Sequence, residues 1–125
     1  MELDYDLVRK VLIECADSTH LQGPTNKEIR LFADNNDVTL NELAFTIDRL
    51  NEASLITGKV TYAGNEPYAF LIGNLTWDGN QYLNSIRNPS VWKETKDKLV
   101  DKGLTASFSV ITALATAIIK DKLGL

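Results

Sequence analysis

The residues best suited to chemistry lie in one stretch, TLNELAFTIDRLNEA, at positions 39–53. Its apolar residues recur at the spacing of one helix face, and they are Leu40, Leu43, Ala44, Ile47 and Leu50. That pattern places Asn41, Thr46 and Arg49 on the polar side of a predicted helix. Arginine and asparagine are among the side chains that read base edges in DNA. We therefore take Asn41, Thr46, Arg49 and, in the next segment, Lys59 as candidate nucleic-acid-binding residues.

The charge around these four residues favours a different partner. The same polar side carries Glu42, Asp48 and Glu52, and the chain has a formal net charge of -4 with a pI near 4.9. Residues 1–88 hold 13 acidic and 7 basic side chains, whereas residues 89–125 hold 4 acidic and 6 basic ones. Because DNA binding depends on clustered lysine and arginine, a basic protein partner stays open beside DNA.

The other reactive residue types do not form a catalytic or metal-binding set. The one histidine, His20, lies in a polar loop, and the one cysteine, Cys15, lies on the apolar face of the first predicted helix. A zinc site needs about four ligands, and a thiol among apolar residues is typically inert. The sequence therefore predicts no enzymatic activity, no metal and no cofactor. A single cysteine is consistent with the cytoplasm, and the longest apolar run, residues 108–119, is too short to span a membrane.

Capping residues predict where the first three helices begin. The first helix begins near Asp4 or Asp6. Thr25 with Glu28, and likewise the pair Thr39 and Glu42, match the capping box that starts a helix. These signals predict three helices, the third of which carries the candidate site.

A change of period after the third helix predicts a hairpin. Residues 39–53 are expected to form a single helix, and residues 55–75 an antiparallel hairpin whose turn residues are Gly64, Asn65 and Pro67. Three helices followed by a hairpin is the element order of a winged helix. The fold is therefore predicted as mainly α with a small β-hairpin: a winged helix-turn-helix domain over residues 1–86, then two C-terminal helices over residues 87–125, together one compact unit.

Two tryptophans are expected to anchor the helices that follow the hairpin. Thr76 would cap a fourth helix in which Trp77 packs on the hairpin. Asn88 and Pro89 would begin a fifth helix in which Trp92 is buried. The sixth helix, from about residue 105 to 123, is apolar nearly all round, which favours burial on several sides. We interpret one stripe of it as an oligomer interface, most simply of a homodimer, formed by Phe108, Ile111, Leu114, Ala115 and Ile118.

Several segments carry a resemblance to a known family. The opening MELDYDLVRKVLIE, the pair LTWDG and VWKETK, and the closing SFSVITALATAIIKDKLGL resemble a domain-of-unknown-function family found in bacteria and their phages. The resemblance implies a winged-helix-like fold and a phage or prophage context, and it implies no activity for particular residues. Two functions therefore stay open: a small phage-type DNA-associated regulator, or a protein-interaction module on the same scaffold without DNA contact.

Overall fold

The computed structural model describes the whole chain, Met1–Leu125, as six helices and one two-stranded sheet. In chain order the elements are α1 (Tyr5–Asp17), α2 (Asn26–Asn35), α3 (Leu40–Glu52), β1 (Ile56–Ala63), β2 (Glu66–Leu75), α4 (Trp77–Ile86), α5 (Pro89–Asp101) and α6 (Phe108–Lys122). The prediction of a mainly α fold with a small β-hairpin is confirmed. None of the six helices combines the length and apolar character that a membrane crossing requires.

The predicted capping boxes are present at the starts of α2 and α3. The Thr25 hydroxyl accepts the Glu28 N–H at 3.2 Å, and the Glu28 carboxylate accepts the Thr25 N–H at 2.8 Å. Thr39 and Glu42 make the same reciprocal pair. Each box satisfies backbone donors that the first turn of a helix leaves without partners, so these residues fix where both helices begin. At α1 the cap is Asp4.

The hairpin turns at two of its three predicted turn residues, and the third, Pro67, lies in β2. Strands β1 and β2 pair antiparallel and are joined by Gly64 and Asn65, whose φ angles are 57° and 70°. Two central residues with positive φ define a type I′ turn, whose twist matches that of paired strands. Tyr62 pairs with Pro67 and Thr61 with Ala69, so β2 carries an extra residue between them and β1 stays regular there.

By its internal contacts the chain divides into two compact units, Met1–Asn80 and Gln81–Leu125. The first unit holds α1, α2, α3 and the hairpin, and the domain boundary predicted after residue 86 stays a prediction. The largest fully buried side chains of this unit come from all five of those elements: Val8, Val11, Leu12, Ile29, Leu43, Ile47, Leu50, Ile56 and Phe70. The loop between α1 and α2 runs close beside β2, because a Cβ on Gly23 would lie 2.1 Å from the Gly73 carbonyl oxygen.

The two tryptophans differ from each other in burial. Trp92 is 4% exposed, as expected, but Trp77 is 77% exposed, so the prediction that Trp77 packs in the core is wrong. The reason is its position on α4, where Tyr82, Leu83 and Ile86 are buried. At 100° per residue Trp77 lies on the side opposite those three. Within the second unit, α5 and α6 pack together, and Tyr82 meets Phe108 edge to face at 4.9 Å between ring centroids.

Candidate functional site

The candidate site is the outer side of α3, which we call the α3 face. It consists of Asn41, Glu42, Phe45, Asp48, Arg49 and Glu52, all exposed or half-buried. The opposite side of the helix places Leu43, Ala44, Ile47 and Leu50 in the core. This amphipathic division orients the face, since burying the apolar stripe leaves the charged residues outside.

Thr46 is not part of this surface. It is 2% exposed, and its hydroxyl donates to the Glu42 carbonyl oxygen at 2.8 Å. The residue pattern predicts it on the polar side, and the structure corrects this. Thr46 follows Leu43 by three residues and precedes Leu50 by four, so it borders the buried stripe. A buried hydroxyl bonded to its own helix is not available for contacts with DNA.

Arg49, the only cation on the α3 face, is already engaged. Its guanidinium bonds to the Glu52 carboxylate at 2.6 Å and lies over the Phe45 ring, 5.0 Å from the ring centroid. The Arg49 side chain is 39% exposed and that of Glu52 63%, so the pair is on the surface. Such a pair contributes little to stability, but it neutralises the one positive charge that the face offers to a phosphate.

Asp48 is held by the hairpin. The Tyr62 hydroxyl donates to the Asp48 carboxylate at 2.5 Å, joining β1 to α3. This hydrogen bond to a carboxylate raises the pKa of Tyr62, and partial burial adds to the rise. The bond fixes the hairpin against the helix, and sequence reasoning missed it because it depends on the register of the strands.

The remaining candidates, Asn41 and Lys59, are exposed, and Lys59 forms no ion pair. Their surroundings are acidic. The unit Met1–Asn80 contains 13 acidic and 6 basic side chains, a net charge of -7. Of the four predicted nucleic-acid contacts, two are therefore free, one is paired and one is buried.

A cleft opens beside the α3 face, where the N-terminal end of α1 meets the first half of α3. This α1–α3 cleft has a volume of about 270 Å³. Its apolar lining includes Leu7 and Phe45, and three carboxylates, those of Glu2, Asp4 and Glu42, line it as well. No lysine or arginine lines it. A lining that combines apolar side chains with three carboxylates fits the long stem and charged head of a lysine or arginine. Sequence reasoning missed it because α1 and α3 meet only in the folded chain.

A larger groove, of about 570 Å³, lies between β2 and the loop that joins α1 to α2. Its one titratable side chain, His20, is half-exposed and lies 3.3 Å from the Glu28 carboxylate. Hydrogen bonds from Thr25 to that carboxylate lower the pKa of Glu28. Cys15 lies elsewhere in the unit and is 2% exposed, and burial, with a smaller effect of the Glu14 charge, raises its thiol pKa to about 12. The groove therefore contains no pairing of a nucleophile with a base.

The predicted oligomer stripe on α6 is mostly internal. Ile111 and Ala115 are 0% exposed and Ile118 is 3% exposed, so these three residues are core and not available to a second copy. Phe108 and Leu114 are half-buried. The side of α6 that faces solvent presents Ser109, Ala113, Ala117 and Lys120. The apolarity of the helix therefore reflects burial within this chain.

Comparisons with known proteins point to one family. Residues 2–105 match the family model described as "Hypothetical protein (DUF2513)". An "Uncharacterized protein" of Haemophilus influenzae is 26% identical over 124 residues, covering 99% of this chain and 100% of the relative. No solved structure gives a significant match. The expected resemblance to a family of unknown function is confirmed, and the family match ends before α6. The LTWDG and VWKETK signature stays a prediction.

Proposed function

The chain belongs to the DUF2513 family, and from that premise we propose that it is a cytoplasmic, non-enzymatic binding module of winged-helix type. Its α3 face and α1–α3 cleft bind a cationic segment of a partner protein. The observation that carries the proposal is that Arg49 is paired with Glu52 while three carboxylates line the adjoining cleft.

The winged-helix assignment is supported by element order and by one edge of the sheet. Helices α1, α2 and α3 precede a hairpin, as in a helix-turn-helix with a wing. The α1–α2 loop lies along β2, where the Asn74 amide donates to the Leu21 carbonyl at 3.0 Å. A winged helix often places a third short strand at this position. The fold alone does not fix the function.

The electrostatics favour a cationic partner over DNA. A duplex presents closely spaced negative charges, and bringing them to a unit of net charge -7 is unfavourable. A lysine or arginine side chain, by contrast, can lay its methylene stem on Leu7 and Phe45 and its charge near Glu2, Asp4 and Glu42. Complementary charge of this kind also increases the rate of association.

Two features support a non-enzymatic role. His20, the one histidine, lies 3.3 Å from the Glu28 carboxylate beside the groove between β2 and the α1–α2 loop. Cys15 is buried, and its raised pKa keeps the thiol protonated at neutral pH. Cys15 lacks the exposure that a nucleophile requires, and no cysteine or serine lines the groove beside His20.

A second candidate is a small phage- or prophage-type DNA-associated regulator. The observation that favours it is the exposed, unpaired Lys59 on the hairpin next to a helix bearing Asn41. In this function Arg49 would have to leave Glu52 to reach DNA. The variant Glu52→Gln removes that restraint. The regulator predicts that E52Q binds duplex DNA more tightly than the wild type, and the interaction module predicts no such gain.

The test measures binding of a fluorescent arginine-rich peptide to the wild type and two charge-reversal variants. Glu2→Lys changes the rim of the cleft, and Glu66→Lys makes the same charge change at the start of β2, outside the cleft. We expect E2K to weaken binding roughly fivefold or more and E66K to change it less than about twofold. Equal effects of the two variants would show that only bulk charge attracts the peptide, and absence of peptide binding would reject the proposal.

A further inference from the structure

The rest of the chain covers the outer edge of β2 and leaves the outer edge of β1 open. On the outer edge of β2, the Phe70 N–H donates to the Asn26 side-chain oxygen at 2.8 Å, and the Tyr68 carbonyl accepts from Arg30 at 2.5 Å. Further along the same edge, Gly23 lies against Gly73. Side chains of α2 and the preceding loop thus cover the β2 edge, as proteins do to block unwanted strand pairing.

The direction of the Phe70 N–H fixes the geometry of the opposite strand. Phe70 pairs with Val60 in the hairpin register. Since the Phe70 N–H points away from β1, the two residues form a non-hydrogen-bonded pair, and the N–H and C=O of Val60 point away from β2. No other backbone or side-chain group of the chain bonds to them. Val60 as a whole is only 8% exposed, and its backbone donor and acceptor point toward the open edge.

Apart from Lys59, the open edge lacks the usual devices that prevent pairing. The extra residue of the hairpin near its tip lies on β2, so β1 is regular from Lys59 to Tyr62. The strand contains no proline, and Lys59 is its only charged side chain. Lys59, Thr61 and Tyr62 are exposed or half-buried. A regular strand with one open edge is a template for another strand.

We propose that β1 pairs antiparallel with β1 of a second copy of this chain, about a two-fold axis at Val60, giving a continuous four-stranded sheet. The two Val60 residues then exchange both backbone hydrogen bonds. Lys59 lies opposite Thr61 of the second copy, so no like charges face each other. Tyr62 lies opposite Gly58, which has no side chain that could clash with the tyrosine ring. This self-complementarity around Val60 identifies a second copy as the occupant.

The proposal is tested at Thr61, because the two-fold symmetry places Thr61 of each copy opposite Lys59 of the other copy. We expect Thr61→Glu to lower the dimer Kd roughly tenfold by adding two attractive pairs, and Thr61→Lys to raise it by about the same factor. The double variant with Lys59→Glu and Thr61→Lys should associate about as tightly as Thr61→Glu, because it also places two attractive pairs across the two-fold axis. The matched controls are Ala69→Glu and Ala69→Lys, since Ala69 is paired with Thr61 but lies on β2. The controls should change Kd less than about twofold.

Sedimentation velocity over a concentration series measures these constants, and thermal melting confirms that each variant is folded. Amide hydrogen exchange at Val60 in the wild type gives a reading that needs no variant: protection should rise with protein concentration. A monomer at every concentration would overturn the proposal. So would a dimer whose Kd responds equally at Thr61 and Ala69, or a dimer that Leu114→Asp dissociates and Thr61→Lys leaves intact.

Discussion

Helices α3 and α6 were both expected to present a binding side, and they differ in what occupies it. The outer side of α3 is charged, and its one arginine is paired with Glu52 of the same helix. The apolar residues of α6 are buried, with Ile111 and Ala115 fully inaccessible. A residue pattern therefore tells which side of a helix is apolar, but contacts in the folded chain decide whether either side is free.

The largest expected effect is the loss of unfolding free energy when a charged residue replaces an apolar one on the buried side of α6. Ile111 is 0% exposed and Ala113 is exposed on the same helix. We expect Ile111→Asp to reduce the free energy of unfolding by about 4 kcal/mol or more, because either the carboxylate is buried without a partner or the helix separates from its neighbours. Ala113→Asp should cost less than about 1 kcal/mol. Urea denaturation followed by circular dichroism measures both, and similar midpoints for the two variants would show that α6 is not core.

Leu114→Asp gives an intermediate case, since Leu114 is half-buried. We expect a lower melting temperature than that of the wild type with an unchanged sedimentation coefficient at low concentration. A folded variant that loses only its dimer would return α6 to the role of an interface.

Removing the N-terminal caps of α3 and α6 should lower the free energy of unfolding by unequal amounts, and the difference should be smaller than that between the charge substitutions in α6. Thr39 and Glu42 make a reciprocal box at α3, whereas the Ser107 hydroxyl at α6 accepts one bond, from the Val110 N–H at 3.1 Å. Replacing either cap by alanine should cost about 0.5–2 kcal/mol, and Thr39→Ala should cost more than Ser107→Ala because it disrupts the reciprocal box. If urea denaturation shows that Ser107→Ala destabilises the protein more than Thr39→Ala, the reciprocal box does not add stability beyond a single cap.

The smallest expected effect is a loss of stability at alkaline pH that comes from Tyr62, which bonds to Asp48 of α3. Helix α6 contains no tyrosine and should show no such effect. The hydrogen bond to Asp48 raises the pKa of Tyr62 above its ordinary value of 10.0. A raised pKa in the folded state means that this hydrogen bond stabilises the protein fully below the unfolded pKa, and that the stabilisation disappears as pH rises through the folded pKa. Ultraviolet titration of the wild type minus Tyr62→Phe isolates this tyrosine. Asp48→Asn should lower its pKa, and an unchanged curve would place the cause elsewhere.

Local signals in the sequence predicted most of the elements. The capping boxes at Thr25 and Thr39, and the turn at Gly64 and Asn65, depend on residues within a few positions of each other, so short stretches specify them. The exposure of Trp77 could also be predicted from the sequence, because its position relative to Tyr82, Leu83 and Ile86 follows from helical spacing alone. The prediction that Trp77 is buried is wrong because it depends on the residue type and not on the position of the residue around the helix.

The site was less predictable because it depends on long-range contacts. The Asp48–Tyr62 bond and the α1–α3 cleft join residues that are distant in sequence. The free edge at Val60 follows from strand register and from the bond between Phe70 and Asn26. Composition did indicate the acidic character of the first unit, which the α3 face shares.

The most direct test of the α3 face maps backbone amide chemical shifts on titration with an arginine-rich peptide and, separately, with duplex DNA at low salt. We expect the peptide to shift the amides of Glu2, Glu42 and Phe45, and DNA to leave those of Asn41, Arg49 and Lys59 unchanged. Shifts of Asn41, Arg49 and Lys59 with DNA, and none around the cleft with the peptide, would contradict the proposed cationic partner and favour the regulator.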